Sequence, residues 1–169
     1  MIASLARLRA LATAVLVLLA ASAAPAGAAG LELVWIDRSG AEQARRTLST
    51  DEAEALGAVE IATSTPWTQG VVRFSGPTLA ALAALEGGEV VEARLQALND
   101  YSIDVPAEDW AAYDVVLASR ADGARMRVRD RGPFWLVYPL DSDPALQTQR
   151  YHARMIWQVR RIAFVVDGP

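Results

Sequence analysis

The chain has 169 residues, with 16 basic residues that are all arginine, 20 acidic residues, one histidine and no cysteine, for a net charge of −4. Without a thiol there is no disulfide framework, no thiolate metal site and no cysteine nucleophile; without lysine there is no Schiff-base chemistry. The acidic balance argues against nucleic acid or an anionic membrane surface as a partner.

Residues 1–28 read as an export signal. Arg7 and Arg9 form a short positive start, residues 10–24 an apolar stretch, and Ala26-Gly27-Ala28 a small-residue cleavage site. The expected location is therefore periplasmic. Residues 29–169 remain as one domain, large enough to bury its own core. That domain holds 14 arginines against 20 carboxylates, a net charge of −6.

Along the domain, residues 31–36 alternate as a strand, and Asp37-Arg38-Ser39-Gly40 turns into a second extended stretch ending near Thr47. Ser49 and Glu52 have the spacing of a capping box, opening a short helix to Leu56 that Gly57 stops. Residues 59–63 and 71–74 are expected strands around a polar loop. Pro77 is expected to start a helix with Leu79, Leu82 and Leu85 on one face, ended by Gly87-Gly88. Residues 90–98 read as a strand with Val91, Ala93, Leu95 and Ala97 on one side. Asn99-Asp100 is a hairpin-type turn before Tyr101, Ile103 and Val105. A helical turn follows from Pro106 to Trp110, then a strand at 115–119 and a second hairpin at Asp122-Gly123. Residues 134–138 form a buried strand, 140–149 a polar loop and 157–166 a closing strand. Short helices among many strands predict an α+β fold with a mixed sheet rather than a repeating βαβ order.

Candidate chemistry is sparse. His152 stands alone in a polar segment and reads as a surface or structural histidine. The carboxylate pairs Glu108/Asp109, Asp141/Asp143 and Asp100/Asp104 sit at turns and helix starts, where carboxylates cap amides. No Gly-rich phosphate loop occurs. Residues 125–131 alternate arginine with Met126, Val128 and Asp130; as a strand they put four arginines on one face, an anion grip or a charged edge. Trp110 and Trp135 are expected in the core. Trp67, just past a strand, is the best pocket candidate.

Four segments together resemble the sulfite-oxidase-type molybdopterin-binding domain. Phe74-Ser75-Gly76-Pro77-Thr78-Leu79-Ala80-Ala81-Leu82 is similar to that family's F-x-G-x-x-L-x-x-L step. Asn99-Asp100-Tyr101-Ser102-Ile103-Asp104-Val105-Pro106 is similar to its D-G-Y-x-x-x-[IL]-P turn. Arg131-Gly132-Pro133-Phe134-Trp135-Leu136-Val137-Tyr138-Pro139 resembles its G-G-P-x-R-L-V-x-P strand, and Trp157-Gln158-Val159-Arg160-Arg161-Ile162 its closing W-x-[KV]-x-[RW]-I. Order and spacing agree from about Thr47 to Val166.

The resemblance implies a strand-rich mixed-sheet α+β fold and a molybdopterin pocket built from loops. In the catalytic family the strand before the first motif ends in a cysteine whose thiolate holds molybdenum. Thr63 stands at or within about a residue of that place, and a neutral hydroxyl is a poor substitute for a soft thiolate on such a metal. Exported members of the family typically travel folded behind a twin-arginine signal, and Arg7-Leu8-Arg9 is not one. The expectation is thus a domain that binds an anionic or pterin-like small molecule, or a periplasmic or membrane-protein partner, without catalytic residues or a metal. Thr63, Trp67, Asn99, Asp100, Tyr101 and Arg131 are the expected binding residues. The alternative is a molybdopterin-dependent oxidoreductase acting on a small oxyanion; a structural protein with no ligand is a third possibility.

Overall fold

The computed structural model describes residues 30–168; the expected export signal lies outside them. Strands β1 (Leu31–Ile36) and β2 (Glu42–Leu48) flank the expected turn. There the Asp37 carboxylate accepts hydrogen bonds from the Ser39 and Ala41 amides at 2.8 and 2.9 Å. Helix α1 (Thr50–Ala55) carries the full capping box, the Ser49 hydroxyl accepting from the Glu52 amide and the Glu52 carboxylate from the Ser49 amide. Strands β3 (Val59–Ser64) and β4 (Val71–Gly76) pair antiparallel around the 65–70 loop. Helix α2 (Leu79–Ala83) is capped by the Thr78 hydroxyl rather than by Pro77 and buries Leu79 and Leu82. It is one turn shorter than the apolar spacing suggests, and Leu85 is only partly buried.

Strands β5 (Glu89–Ala97) and β6 (Ser102–Pro106) form the expected hairpin at Asn99-Asp100, with Asp100 at φ 65°. Helix α3 (Ala107–Ala112) and strand β7 (Val116–Ala118) follow. Strands β8 (Arg120–Ala121) and β9 (Ala124–Arg125) close on Asp122 and Gly123, both at positive φ as a two-residue type I′ turn requires. Strand β10 (Trp135–Val137) is wholly buried. Helix α4 (Gln149–Arg154) begins at the end of the stretch expected to be a polar loop, and β11 (Val159–Asp167) ends the fold.

The arrangement is α+β, strand-rich and built on a mixed sheet. The large sheet has the order β2-β1-β11-β5-β6, with β1 and β11 parallel and the other neighbours antiparallel. β3-β4-β8-β9 form a second, antiparallel sheet, and β7 and β10 a two-stranded ribbon. Leu31, Leu33, Trp35, Ile162 and Phe164 face the main core, which also takes Phe74 from β4 and Leu136 from β10. Val34, Ile36, Ala163 and Val165 form a smaller apolar cluster of their own. Apolar residues of β1 and β11 therefore project from both faces of the sheet, as two-sided burial demands.

Two expectations need correction. The arginine-rich stretch is not a strand: β9 stops at Arg125, residues Val128–Asp130 form a 3-10 turn, and Arg131 is left-handed at φ 71°. The Asp130 and Gly132 amides both donate to the Arg127 carbonyl, at 2.7 and 2.8 Å, which folds the chain back on itself. The four arginines consequently share no face. Val91 also leaves the side assigned to it. Val165 and Val166 stand opposite Glu92 and Val90, so Val91 is an extra residue, and it packs on the smaller cluster while Ala93 and Leu95 face the main core.

Candidate functional site

The loop after β3 is a tight turn. Pro66 occupies its second position, and the Thr68 amide donates to the Thr65 carbonyl at 3.2 Å. The Trp67 amide donates to the Thr65 hydroxyl, and the Thr65 amide to the Thr68 hydroxyl. These bonds fix the direction in which Trp67 leaves the backbone. It leans toward the end of the large sheet, where its ring meets Trp157 at 5.4 Å and 75°, Trp135 at 6.1 Å and 62°, and His152 at 6.4 Å and 75°.

A cavity of about 310 Å³ opens there, at the small end of the usual range for small-molecule sites. Trp67, Asn99, Tyr101, His152 and Trp157 form its polar and aromatic wall; Ala97, Ala153, Met155 and Ile156 are apolar. Three of the residues expected from sequence, Trp67, Asn99 and Tyr101, are thus brought together. The Asn99 amide oxygen accepts from the Tyr101 amide at 3.2 Å, the local bond that shapes the hairpin. No charged side chain lines this cavity.

The other three lie elsewhere. Arg131 lines an adjacent cleft of about 500 Å³ with Thr68, Phe74, Arg127 and Trp135. Its guanidinium stands over the rings of Trp135 and Trp157, at 5.2 and 5.7 Å from their centroids, and has no carboxylate partner among the described residues. Asp100 is on the exposed tip of the hairpin and pairs with Arg160 at 2.6 Å. Thr63 is fully buried. Its hydroxyl accepts from the Asp141 amide at 3.1 Å and donates to the Ser64 carbonyl at 3.2 Å. The Asp141 carboxylate in turn accepts from the Ser64 amide and hydroxyl at 2.6 and 2.7 Å. Those bonds, the backbone one first, hold its carboxyl below the ordinary value. Thr63 therefore clamps the loop after β10 to the end of β3.

His152 and Trp157 also line the cavity, although neither is among the expected binding residues. Trp157 opens the last family-like segment, which was the available clue. His152 is partly buried rather than superficial, and its Nε2 is sealed from solvent without a hydrogen-bond partner. Helix α4 holds it in the wall. That helix is itself anchored by Arg154, whose Nη1 donates to the buried Asp109 carboxylate at 2.6 Å, and Asp109 also accepts from the Tyr138 hydroxyl at 2.6 Å. Asp109 is thus not a helix cap but the centre of a buried pair. Burial, and then Asp109, push the Tyr138 phenol above its ordinary value, so it remains a donor.

Two other features are committed internally. A cleft of about 770 Å³ at another edge of the large sheet holds Asp37, Arg38, Glu86 and Asp167. Its carboxylates are engaged by Ser39, Arg46 and Arg38. Arg125 and Arg120 converge on Glu54 of α1, with Arg125 also held by Asp51. Although burial raises Glu54, the hydrogen bonds from Arg120, Ser119 and Arg125 hold its carboxyl down at about 2. Among the described residues no three His, Asp or Glu side chains are placed to hold a metal ion. Comparison with family models and with curated proteins finds no match to this chain.

Proposed function

We propose that this chain is an exported, periplasmic ligand-binding domain of the sulfite-oxidase-type molybdopterin-binding fold, without redox activity. The observation that carries the reading is the meeting of Trp67, Asn99, Tyr101 and Trp157 in one cavity. These residues come from the loop before the first family-like segment and from the second and fourth segments. Parts of the sequence that resemble one binding fold thus contribute to a single concave site.

Two motif glycines support the fold assignment on packing grounds. A Cβ on Gly76 would stand 2.1 Å from the Leu117 carbonyl oxygen, and one on Gly132 would stand 2.1 Å from that of Met126. Only glycine allows the backbones that close. Arg131 stands where the family motif has glycine, and its left-handed φ of 71° suits that position. Trp135 stands where the motif has arginine, and the Arg131 guanidinium lies over it. In this reading Arg131 returns a guanidinium to the place from which the substitution at 135 removed one, available to a negative group on the ligand.

The residues do not fit a molybdenum centre. Thr63 offers a neutral oxygen, buried and already both donating and accepting, where the resemblance calls for a soft thiolate. The reading therefore assigns binding and not oxygen transfer. Tyr101, Leu98 and Val128 stay exposed in this region, a surface suited to a periplasmic or membrane-protein partner that delivers or receives the ligand.

Metal analysis and pterin fluorescence on protein purified from its native compartment test the proposal. Both are expected to be negative. Stoichiometric molybdenum would replace this reading with a molybdopterin-dependent oxidoreductase acting on a small oxyanion.

A further inference from the structure

We infer that the cavity between Trp67, Tyr101 and Trp157 takes a methylated ammonium group, the head of a choline- or betaine-type molecule. The inference rests on the ligand-binding reading for the location of the site and adds the class of ligand.

The ring geometry comes first. Trp67 and Trp157 stand at 75°, and Trp157 and Trp135 at 89°. No two of these indoles are parallel, so they form a corner and not a slot. A flat heterocycle gains full stacking between parallel faces; in a corner it can lie against one ring only. A compact, rounded group touches both walls at once, and Tyr101 supplies a third aromatic surface.

Charge comes second. Aromatic faces carry negative potential and attract cations. Of the rings that line the cavity, Trp157 already holds one cation, the Arg131 guanidinium at 5.7 Å, so among the described residues Trp67 and Tyr101 are the aromatic walls without one. No lysine, arginine or carboxylate lines the cavity itself. An ordinary ammonium entering it would lose water and find too few acceptors for its N–H groups, at high cost. A methylated ammonium has no such N–H groups to satisfy. Ala97, Ala153, Met155 and Ile156 offer its methyls apolar contact. His152 adds an aromatic edge, set at 75° to Trp67, and its Nε2 is sealed from solvent. The net charge of −6 on residues 29–169 favours the approach of a cation. A betaine would in addition present its carboxylate to the Asn99 amino group, which makes no hydrogen bond among the described residues.

Isothermal titration with choline, and with its uncharged tert-butyl carbon isostere, tests the assignment, read in parallel by tryptophan fluorescence. Choline should bind and change the emission, and the isostere should bind about tenfold more weakly, the size of a cation–π contribution in a desolvated site. Tyr101 is 52% exposed, so Tyr101→Leu should fold normally, as its thermal midpoint will register, yet lose about two- to fivefold in choline affinity, the size of a cation–π contribution at an exposed ring. Tyr101→Phe should retain the affinity. Equal binding of choline and the isostere, or no loss in Tyr101→Leu, would overturn the inference. A carboxypterin titrated alongside separates the two levels of the argument. If it binds at the tryptophans while choline does not, the ammonium assignment falls and the binding reading stands. If neither binds and native material releases no small molecule, both fall.

Discussion

Arg154 and Asp109 form a buried ion pair, with the Arg154 Nη1 and an Asp109 carboxylate oxygen 2.6 Å apart and their side chains 17% and 6% exposed. The pair ties α4 to α3, and the Tyr138 hydroxyl on the same carboxylate ties both to the chain just after β10. One wall of the aromatic cavity thus hangs on a single carboxylate. Replacing Asp109 with alanine leaves a buried guanidinium and a buried phenol unpaired. It should cost about 3–5 kcal/mol in urea denaturation, far more than a surface ion pair. Replacing Arg154 with methionine, which keeps apolar volume, should cost less than Arg154→Ala.

The Glu54 cluster makes a pH prediction. Its folded pKa is about 2 and its ordinary value is 4.5, so the folded state favours the ionised form. The stabilisation is fully present above pH 4.5 and is lost as pH falls toward 2. Because Arg120 and Arg125 are partly exposed, solvent screening holds the contribution to about 1–2 kcal/mol. Stability measured against pH should therefore fall less steeply between these values in Glu54→Gln than in the parent. An unchanged slope would show that the cluster contributes nothing.

Arg131 separates backbone strain from ring stacking. Its left-handed backbone costs a non-glycine residue about 1 kcal/mol, and its contact with Trp135 and Trp157 returns a similar amount. Arg131→Ala keeps the strain and loses the contact, so it should be destabilised by about 1 kcal/mol. Arg131→Gly loses both and should lie within about 0.5 kcal/mol of the parent. Chemical denaturation of the two variants reads the difference directly.

Thr63 gives a structural prediction with a functional edge. Thr63→Val leaves the Asp141 amide without its acceptor and should cost about 1–3 kcal/mol. Thr63→Cys installs the residue type that the resemblance calls for, but at a fully buried position beneath the Asp141 loop. It should acquire no molybdenum when expressed with the cofactor machinery present, as elemental analysis will register.

The sequence was readable wherever local chemistry decides structure. The Ser49 and Glu52 box, the Asp122-Gly123 turn and the Asn99-Asp100 turn are each written in adjacent residues, and each forms. Residues 125–131 failed because alternation of arginine with other residues is compatible with more than one backbone. What decides it is the fold-back that brings Gly132 against the Met126 carbonyl, held by a distant partner, the Gln158 side chain, which donates to the Val128 carbonyl. Helix α4 was hidden for a similar reason. Thr148 makes no side-chain cap bond, no residue within the helix is buried, and the anchor at Asp109 is 45 residues away. Within the site, Trp67, Asn99 and Tyr101 were legible because turns expose side chains at strand ends. Thr63 and Asp100 sit next to such turns, yet one points into the protein and the other to Arg160, a choice made by tertiary partners.

Native mass spectrometry of the protein isolated from its native compartment tests the central claim most directly. The account predicts a small organic molecule, free of molybdenum, released on denaturation and absent from a Trp157→Leu variant prepared in the same way. Release of a molybdenum pterin would contradict it.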